Sequence, residues 1–589
     1  MPKRSLYGAL ASLLLCQFAK RRDSAFPQYE DSSDLNHFVT HPEIQSPTLN
    51  VSVHDAQKSS RGYYFMTPFH RTQEPLVASP AYYVPCQSGP TIYDSFGDLI
   101  WSGACIVQNN NTFDFRLAMI EDKPHLSWMR QSHSRRVPAH LGISELFDLS
   151  YQNRTRIQAD NSTMRLNFHE YNHIENGRKM LVITEGVKYL DLAVIGLPYK
   201  NYPVIVTGFQ EVDSKTGKVL FEWDSVPRVS VGETSLLPET PGPAFDESEA
   251  FDFMHMNSVD KNPDGDYLVS ARHTDTIYKI SGTNGEIIWR FGGKTTDFVH
   301  DGGFNFSKQH DARFLGSNRT HCIISFVNNA ASKFAQSASH SSALVISLHT
   351  AGKPMTATIL SQYDRPDRGL TRRMGNIQTL PNGSRLVNWS QGGYTTEYSQ
   401  DGKPVAEARF ATDRFASYRV YKHDFVGKPS YPPIVRSFAY GRKQSGATTA
   451  CYVSWNGATE VASWRFYSHE KNGKVSLGEM QRQGFETEFM CDGYKKKVSV
   501  EAVDANGVVL GRSDIEDTVR PGTWAKTDSG PDDIVAHIEF PVVLCFLLTF
   551  IFTAAIGFIT GGTLRPSWPR KKNSGYKQLR HEEDTEGVI

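Results

Sequence analysis

The chain has 589 residues, with 63 Lys+Arg against 63 Asp+Glu and a formal net charge of zero. Aromatic residues make up 12% and apolar residues 39%, which excludes a disordered chain, since those are poor in aromatics and strongly charged. Balanced charge argues against a dedicated nucleic-acid binder, which needs a basic surplus to neutralise phosphates, and the length implies a large domain with additions.

Lys3 and Arg4 precede an apolar run from Leu6 to Phe18. A charged start and a run too short to span a bilayer read as a signal peptide over residues 1–25; an uncleaved anchor is the alternative. Sequons stand at Asn50, Asn110, Asn153, Asn161, Asn305, Asn318, Asn382 and Asn388. They agree with a luminal or extracellular location for this part of the chain. Of seven cysteines, Cys16 and Cys545 lie in apolar segments; Cys86 with Cys105, and Cys451 with Cys491, are candidate disulfides of an oxidising compartment, which leaves Cys322 single.

A repeat organises residues 60–430. Its clearest copy is NPDGDYLVSARHTDTIYKISGTNGEIIWRFGG, from Asn262 to Gly293. Another joins ENGRKMLVIT to QEVDSKTGKVLFEW, ending at Trp223, and a third runs from Pro381 to Phe410, with Phe where Trp stood. A looser copy starts at Gln309, TIYDSFGDLIWSG repeats the closing hairpin, and residues 104–151 have room for one more unit. Each unit reads as short strands joined at N-G, D-G and T-G turns. Four short strands per unit of about 40–45 residues predict the blades of a propeller, six in all, with some units stretched by long loops. Two β-sandwiches are the alternative, but they do not explain the recurring strand order.

Past Pro429, Pro432 and Pro433 the pattern changes. Residues 432–519 hold alternating strands with Trp455 and Trp464, and predict a small immunoglobulin- or fibronectin-like sandwich. Residues 520–537 read as a polar juxtamembrane stalk. Residues 538–562 are long and apolar enough to cross a bilayer, and Arg565, Arg570, Lys571 and Lys572 follow as a cytoplasmic flank. The expected fold class is therefore all-β, a six-bladed propeller and a sandwich, with one C-terminal transmembrane helix and a tail over 563–589. The expected topology is single-pass type I, in the secretory pathway or at the cell surface.

The repeat also points to a site. His169 in FHEYNHIENG, His255 in FMHMNSVDKNPDG and His310 in KQHDARFLGSN precede the first turn of successive units, where the next unit has Gly375. Equivalent positions ring a propeller axis, so the three histidines can converge. Arg272 ends the strand after His255 and Asn257, and Arg313 follows His310. Guanidinium groups among histidines suit an anionic ligand. Taken singly, each histidine also fits a hydrogen-bonded structural role, Arg272 fits a pair with Asp275, and Asp311 fits a structural role. Three histidines could in principle hold zinc, although no Cys/His zinc spacing occurs and no metal is expected.

The H-x-N-S motif at His255, the S-x-R-H motif at Arg272 and the Q-H-D motif at His310 together resemble the arylsulfotransferase family, in its fungal branch. FHEYNHIENG and GNIQTLPNGSRLVNWSQGG fit it too, and the resemblance covers about residues 60–430. It implies a six-bladed propeller that moves a sulfuryl group between phenols with no nucleotide donor and no cofactor. Carried over by motif, His310 is the sulfated nucleophile. His255, Arg272 and His169 complete the catalytic set, with Asn257 and Arg313 as substrate-binding candidates. H-D-A-R after His310 departs from the bacterial pattern. The expected partner is a small phenolic sulfate, with no nucleic acid. The alternative is a silent propeller that binds an anionic or phenolic ligand, or a cell-wall partner. A quinoprotein dehydrogenase shares the turns but needs an acidic calcium site that the sequence does not show.

Overall fold

The structure, a computed structural model, describes residues 34–70, 85–131, 142–152, 154–157, 164–236, 250–333 and 335–524. The expected signal peptide, the sequons at Asn153 and Asn161, the membrane segment and the tail lie outside these residues. No helix among the described residues is long and apolar enough to cross a membrane.

The regular structure of the described residues is almost all strand, and its helical pieces are single turns such as Ala193–Ile195. Four-stranded antiparallel meanders follow one another. The first runs from Thr112–Ile120 to Arg154–Ile157, the next from Arg165–Ile174 to Val219–Asp224, and a third from Met256–Lys261 to Ile287–Gly292. Two more run from His310–Ser317 to Met355–Asp364 and from Asn376–Thr379 to Pro404–Phe410. A further sheet joins distant parts of the chain: Tyr421–His423 pairs with Tyr63–Met66, and Thr91–Tyr93 and Leu99–Ser102 follow outward. Leu49–Val53 adds an outer strand to Pro404–Phe410, which the sequence did not suggest.

The turn chemistry explains the meander. At Asn262–Asp266 the Asn262 N–H donates to the Asp266 carbonyl (2.9 Å), and Gly265 takes a positive φ of 93°. The recurring tryptophan packs between sheets: Trp223 closes one meander, and its Nε1–H donates to the Gly285 carbonyl in a turn of the next (3.0 Å). Apolar clusters fill the spaces between consecutive sheets, as with Leu181, Trp223, Tyr267 and Tyr278, or Ile277, Trp289, Phe326 and Ile346. The first strands of successive meanders lie side by side. Asparagines on them clamp the next strand; Asn376 donates to the Val420 carbonyl (2.9 Å) and accepts from the Val420 N–H (2.8 Å). The arrangement is consistent with a β-propeller-like fold.

These first strands carry irregularities in their pairing, between Phe113 and Arg116, Leu166 and Tyr171, Met256 and Ser258, and His310 and Arg313. Bulges re-aim side chains. Two of the bulged residues, Asp114 and Asp311, take positive φ angles of 56° and 58°.

After residue 429 two sheets form a separate core. One holds Ile434–Tyr440, Thr448–Ser454 and Glu486–Asp492; the other is built on Gly473–Gln481, Ser463–Glu470 and Lys497–Val503. Trp464, Phe466 and Val498 are buried between them. This unit docks on the meanders: the Gly457 N–H donates to the Ile100 carbonyl (2.7 Å), and the Tyr151 hydroxyl donates to the Gly457 carbonyl (2.9 Å).

Several expectations change here. Cys86 and Cys105 form a disulfide, with Cα atoms 5.2 Å apart, but Cys451 and Cys491 are free thiols. On their paired strands Cys451 faces Phe489 and Cys491 faces Thr449. Diagonal neighbours of this kind stand about 7–8 Å apart, beyond the reach of a disulfide. The sequon at Asn388 is buried, and its amide donates to the Ser417 and Tyr418 carbonyls, whereas Asn50, Asn318 and Asn382 are exposed and Asn110 is half-buried. The start of the expected stalk is part of the sandwich: Trp524 is buried against Tyr494, and its Nε1–H donates to the Gly441 carbonyl (2.9 Å).

Candidate active site

The first strands bring His169, His255 and His310 toward one another. The rings of His169 and His255 meet edge to face with centroids 4.9 Å apart, and His273 lies 4.6 Å beyond His255. The Tyr418 ring stands 5.8 Å from His169. His169, His255, Arg272 and His310 are 2–5% exposed.

Neighbouring amides set the orientation of His310. Its Nδ1 lies 2.7 Å from Asn329 Oδ1 and 3.0 Å from the Lys308 carbonyl. Asn329 spends its Nδ2–H bonds on the Thr371 and Met374 carbonyls (both 2.9 Å), so its oxygen must face the ring. Both contacts of Nδ1 are acceptors, so the proton sits on Nδ1 and the lone pair on Nε2. The Met374 N–H donates to that Nε2 (3.2 Å). Burial, then the charge of Arg272, push the His310 imidazole down to about 3, and it is neutral over the physiological range. Where His310 has its histidine the next unit has Gly375. Its φ is 104°, and a Cβ there would stand 2.6 Å from the Asn388 carbonyl oxygen, so glycine is required.

Arg272 donates from Nη1 to His273 Nε2 (2.7 Å) and from Nη2 to the Arg372 carbonyl (3.2 Å). Asp275, its candidate partner from sequence, instead pairs with Lys308 (3.2 Å). His273 donates from Nδ1 to the Asp252 carbonyl (2.7 Å), and burial holds it well below the ordinary histidine value. His255 takes a positive φ of 51° and folds back on Asp252. One carboxylate oxygen of Asp252 accepts the His255 N–H (3.0 Å) and the other lies 2.5 Å from Nδ1. His169 directs Nδ1 to Asn167 Oδ1 (2.6 Å), and the amide of Asn167 is oriented by Glu185 (2.6 Å).

Two sequence candidates point elsewhere. Asn257 donates to the Gln309 carbonyl (2.9 Å) and accepts from the Asp311 N–H (3.3 Å), so it pins the strand that carries His310. Arg313 is bound to Glu170 (2.6 Å) and Asp311 (2.7 Å). It belongs to a buried network with Asp114, Arg116 and Arg419. Arg419 contacts Asp114 (2.8 Å), Glu170 (3.2 Å) and Asp311 (3.3 Å), and Arg116 contacts Glu170 (2.7 Å). Burial alone would raise the Asp114 carboxyl; Arg116, Arg419 and Arg313 outweigh it and hold it well below the usual range. Three guanidinium groups and three carboxylates balance here.

Among the described residues, Asp252, His255 and His273 place donor atoms within 4.8 Å of one another. Two donors on one tetrahedral ion stand about 3.3 Å apart. The 2.5 Å contact between Asp252 and His255 is instead of hydrogen-bond length, and the second nitrogen of His273 is taken by Arg272. This conformation fits a hydrogen-bonded dyad better than a metal centre.

Residues 143–411 match the model of the arylsulfotransferase (ASST) family. The matched stretch contains His169, Asn257, Arg272 and His310 together with Asp252, His255 and Asn329. No match appears among curated proteins. Solved structures with a weak likeness include a protein of unknown function from Bacteroides caccae, at 11% identity and a TM-score of 0.34, covering 61% of this chain and 98% of that one. A catalytically inactive virginiamycin B lyase from Staphylococcus aureus shares 10% identity at a TM-score of 0.26, covering 59% and 81%. Neither bears on the chemistry.

Within the arylsulfotransferase-like stretch, sequence reasoning missed Asp252, His273 and Asn329. Asp252 had a local signal, the D-x-x-H spacing before His255. His273 directly follows Arg272 in S-A-R-H. Asn329 had none, because it reaches His310 only through the pairing of His310 with Val327.

Proposed function

We propose that this chain is a membrane-anchored arylsulfate sulfotransferase of the family's fungal kind, built on a six-bladed propeller. It moves a sulfuryl group from a phenolic sulfate ester to a phenolic acceptor. The observation that carries the reading is His310: a neutral imidazole whose Nδ1–H is held by Asn329 and the Lys308 carbonyl, with its lone pair on Nε2 and Arg272 close enough to act on it.

Nε2 attacks sulfur as the bond from sulfur to the phenolic oxygen breaks. The electron pair leaves on that oxygen, which takes a proton from a neighbouring histidine, His255 or His169. Nδ1 keeps its proton on two acceptors that hold the ring in place, and the charge gained by the ring is offset by the anionic sulfuryl oxygens it now carries. The Met374 N–H is released from Nε2 by the new nitrogen–sulfur bond and becomes a donor for a sulfuryl oxygen. Arg272 compensates negative charge on the sulfuryl group, and one such preorganised donor is worth about 3–4 kcal/mol. In the second half the acceptor phenol gives its proton back to the histidine, attacks sulfur and regenerates His310. A single-pass type I topology, outside the cytoplasm, is supported by the basic flank of the apolar segment and by exposed sequons at Asn50, Asn318 and Asn382.

The burial of the four site side chains favours a second reading, in which the site binds an anion without turnover. Incubating the full chain with 4-nitrophenyl sulfate and excess phenol separates the two. Nitrophenol release, ping-pong kinetics and sulfate label on His310 are expected. Release that is unchanged in His310→Ala would sink the mechanism, and sulfate binding with no release would favour the second reading.

A further inference from the structure

Three histidines meet at the site, and their Nδ1 partners differ in kind. His310 faces the amide of Asn329 and His169 faces the amide of Asn167, whereas His255 faces the carboxylate of Asp252. An amide oxygen fixes a tautomer but cannot compensate a full positive charge. A carboxylate does both, as in hydrolase triads where a buried Asp orients the proton-carrying histidine and stabilises its imidazolium.

We propose that His255, and not His169, carries the proton in sulfuryl transfer, and that Asp252 is the positioning residue that makes it able to. This rests on the transfer reading above. Asp252 is well placed for the role. It is mostly buried, at 11% side-chain exposure, and the His255 backbone N–H donates to one carboxylate oxygen, which fixes the carboxylate and aims the other oxygen at Nδ1. The backbone of Asp252 is tied in turn, because its carbonyl accepts from His273 Nδ1. With Nδ1–H spent on the carboxylate, proton exchange falls to Nε2. In the first half-reaction, imidazolium Nε2–H gives its proton to the departing phenolic oxygen as the sulfur–oxygen bond breaks. In the second, neutral Nε2 takes the proton of the acceptor phenol as the new sulfur–oxygen bond forms, so protons balance over one turnover. His169 lies 4.9 Å from His255, ring to ring, and among the described residues the contact of its Nδ1 is the Asn167 amide oxygen.

The test is Asp252→Asn in the full chain, with two donors that differ in how much they need the proton. Asparagine can still accept the His255 N–H, but its amide N–H2 facing Nδ1 would reverse the tautomer. Phenyl sulfate, with a basic leaving group, is expected to lose about 100-fold in kcat. 4-Nitrophenyl sulfate, whose leaving group departs as the anion, is expected to lose less than about 10-fold. Asp252→Glu should recover part of the phenyl sulfate rate, and His169→Gln should lower both donors alike. Equal losses with both donors in Asp252→Asn, or a donor-dependent loss in His169→Gln instead, would overturn the assignment while leaving transfer through His310 intact. Stoichiometric zinc in the wild-type chain that is lost in Asp252→Asn would also overturn it. Absence of transfer by the wild type would remove the parent reading and this one together.

Discussion

His169 and Glu170 are neighbours in the chain, as are His310 and Asp311, yet each pair divides between two clusters that treat charge in opposite ways. The acids join Asp114, Arg116, Arg313 and Arg419 in a network where three cations meet three anions. The histidines join Arg272, His255 and His273, where burial keeps His310 and His273 neutral. The first cluster is closed upon itself and suited to holding inner strands together. In the second, the charges of Arg272 and His255 both act on the buried His310. Adjacent residues of a strand face opposite ways, and the bulges sharpen that separation, so one set of strands serves both purposes.

The comparison breaks most plainly if the two clusters fail to separate activity from stability. His310→Ala should lower transfer by about ten-thousand-fold or more, as removal of a nucleophile does, while the melting temperature stays near that of the wild type. Arg419→Ala should do the reverse. It leaves three buried carboxylates to two guanidinium groups and should cost about 3–5 kcal/mol in denaturant unfolding; a loss within error would show that the network is not holding the strands.

Asn329→Ala tests the link between the regions more finely. It leaves the Thr371 and Met374 carbonyls without their donor and frees the His310 tautomer, so about 1–3 kcal/mol of stability should go. The accompanying fall in kcat, measured on the same preparation, should be about 10–100-fold. Asn329→Asp should lose at least as much stability as Asn329→Ala, because its carboxylate has no N–H for the two carbonyls and is buried among acceptors.

The last effect is graded with pH. Burial and then Arg116 hold His173 at about 3 and His423 at about 4, and burial and then Arg272 hold His310 at about 3, against an ordinary 6.5. The unfolded chain therefore binds more protons than the folded one between pH 6.5 and these values, so stability is full above pH 6.5 and declines as pH falls toward 4. Thermal unfolding from pH 7.5 to 4.5 should show this decline. His423→Gln should flatten part of it without altering the pH dependence of transfer.

Much of the site was legible because propeller-like repeats put equivalent positions in register. His169, His255 and His310 came from the repeat register, Arg272 from its place at the end of the strand after His255, and their roles from the family resemblance; in the structure the rings of His169 and His255 meet and Arg272 acts on His310. Asn257, taken from the H-x-N motif, and Arg313, taken as a second cation near His310, were assigned to the ligand and turn out to hold strands and charges. Both lie on strands with irregular pairing, beside Met256/Ser258 and His310/Arg313. A register argument counts residues; it cannot say which way a side chain points across a bulge. Arg419 had no repeat to announce it, since it precedes the short strand Tyr421–His423 that returns to pair with Tyr63–Met66.

The sequence by itself determined the strand-turn-strand units, their Gly turns and closing aromatic residues, the small domain after Pro433, and which residue types stand at the head of each unit. These follow from local turn chemistry and from alternation along strands. Only the tertiary structure decided which histidine faces a carboxylate and which an amide, that Cys86 reaches Cys105 while Cys451 misses Cys491 by one diagonal, and that Arg313 balances charge. Such choices depend on distances of a few ångströms between strands far apart in the chain, set when apolar faces pack sheet against sheet.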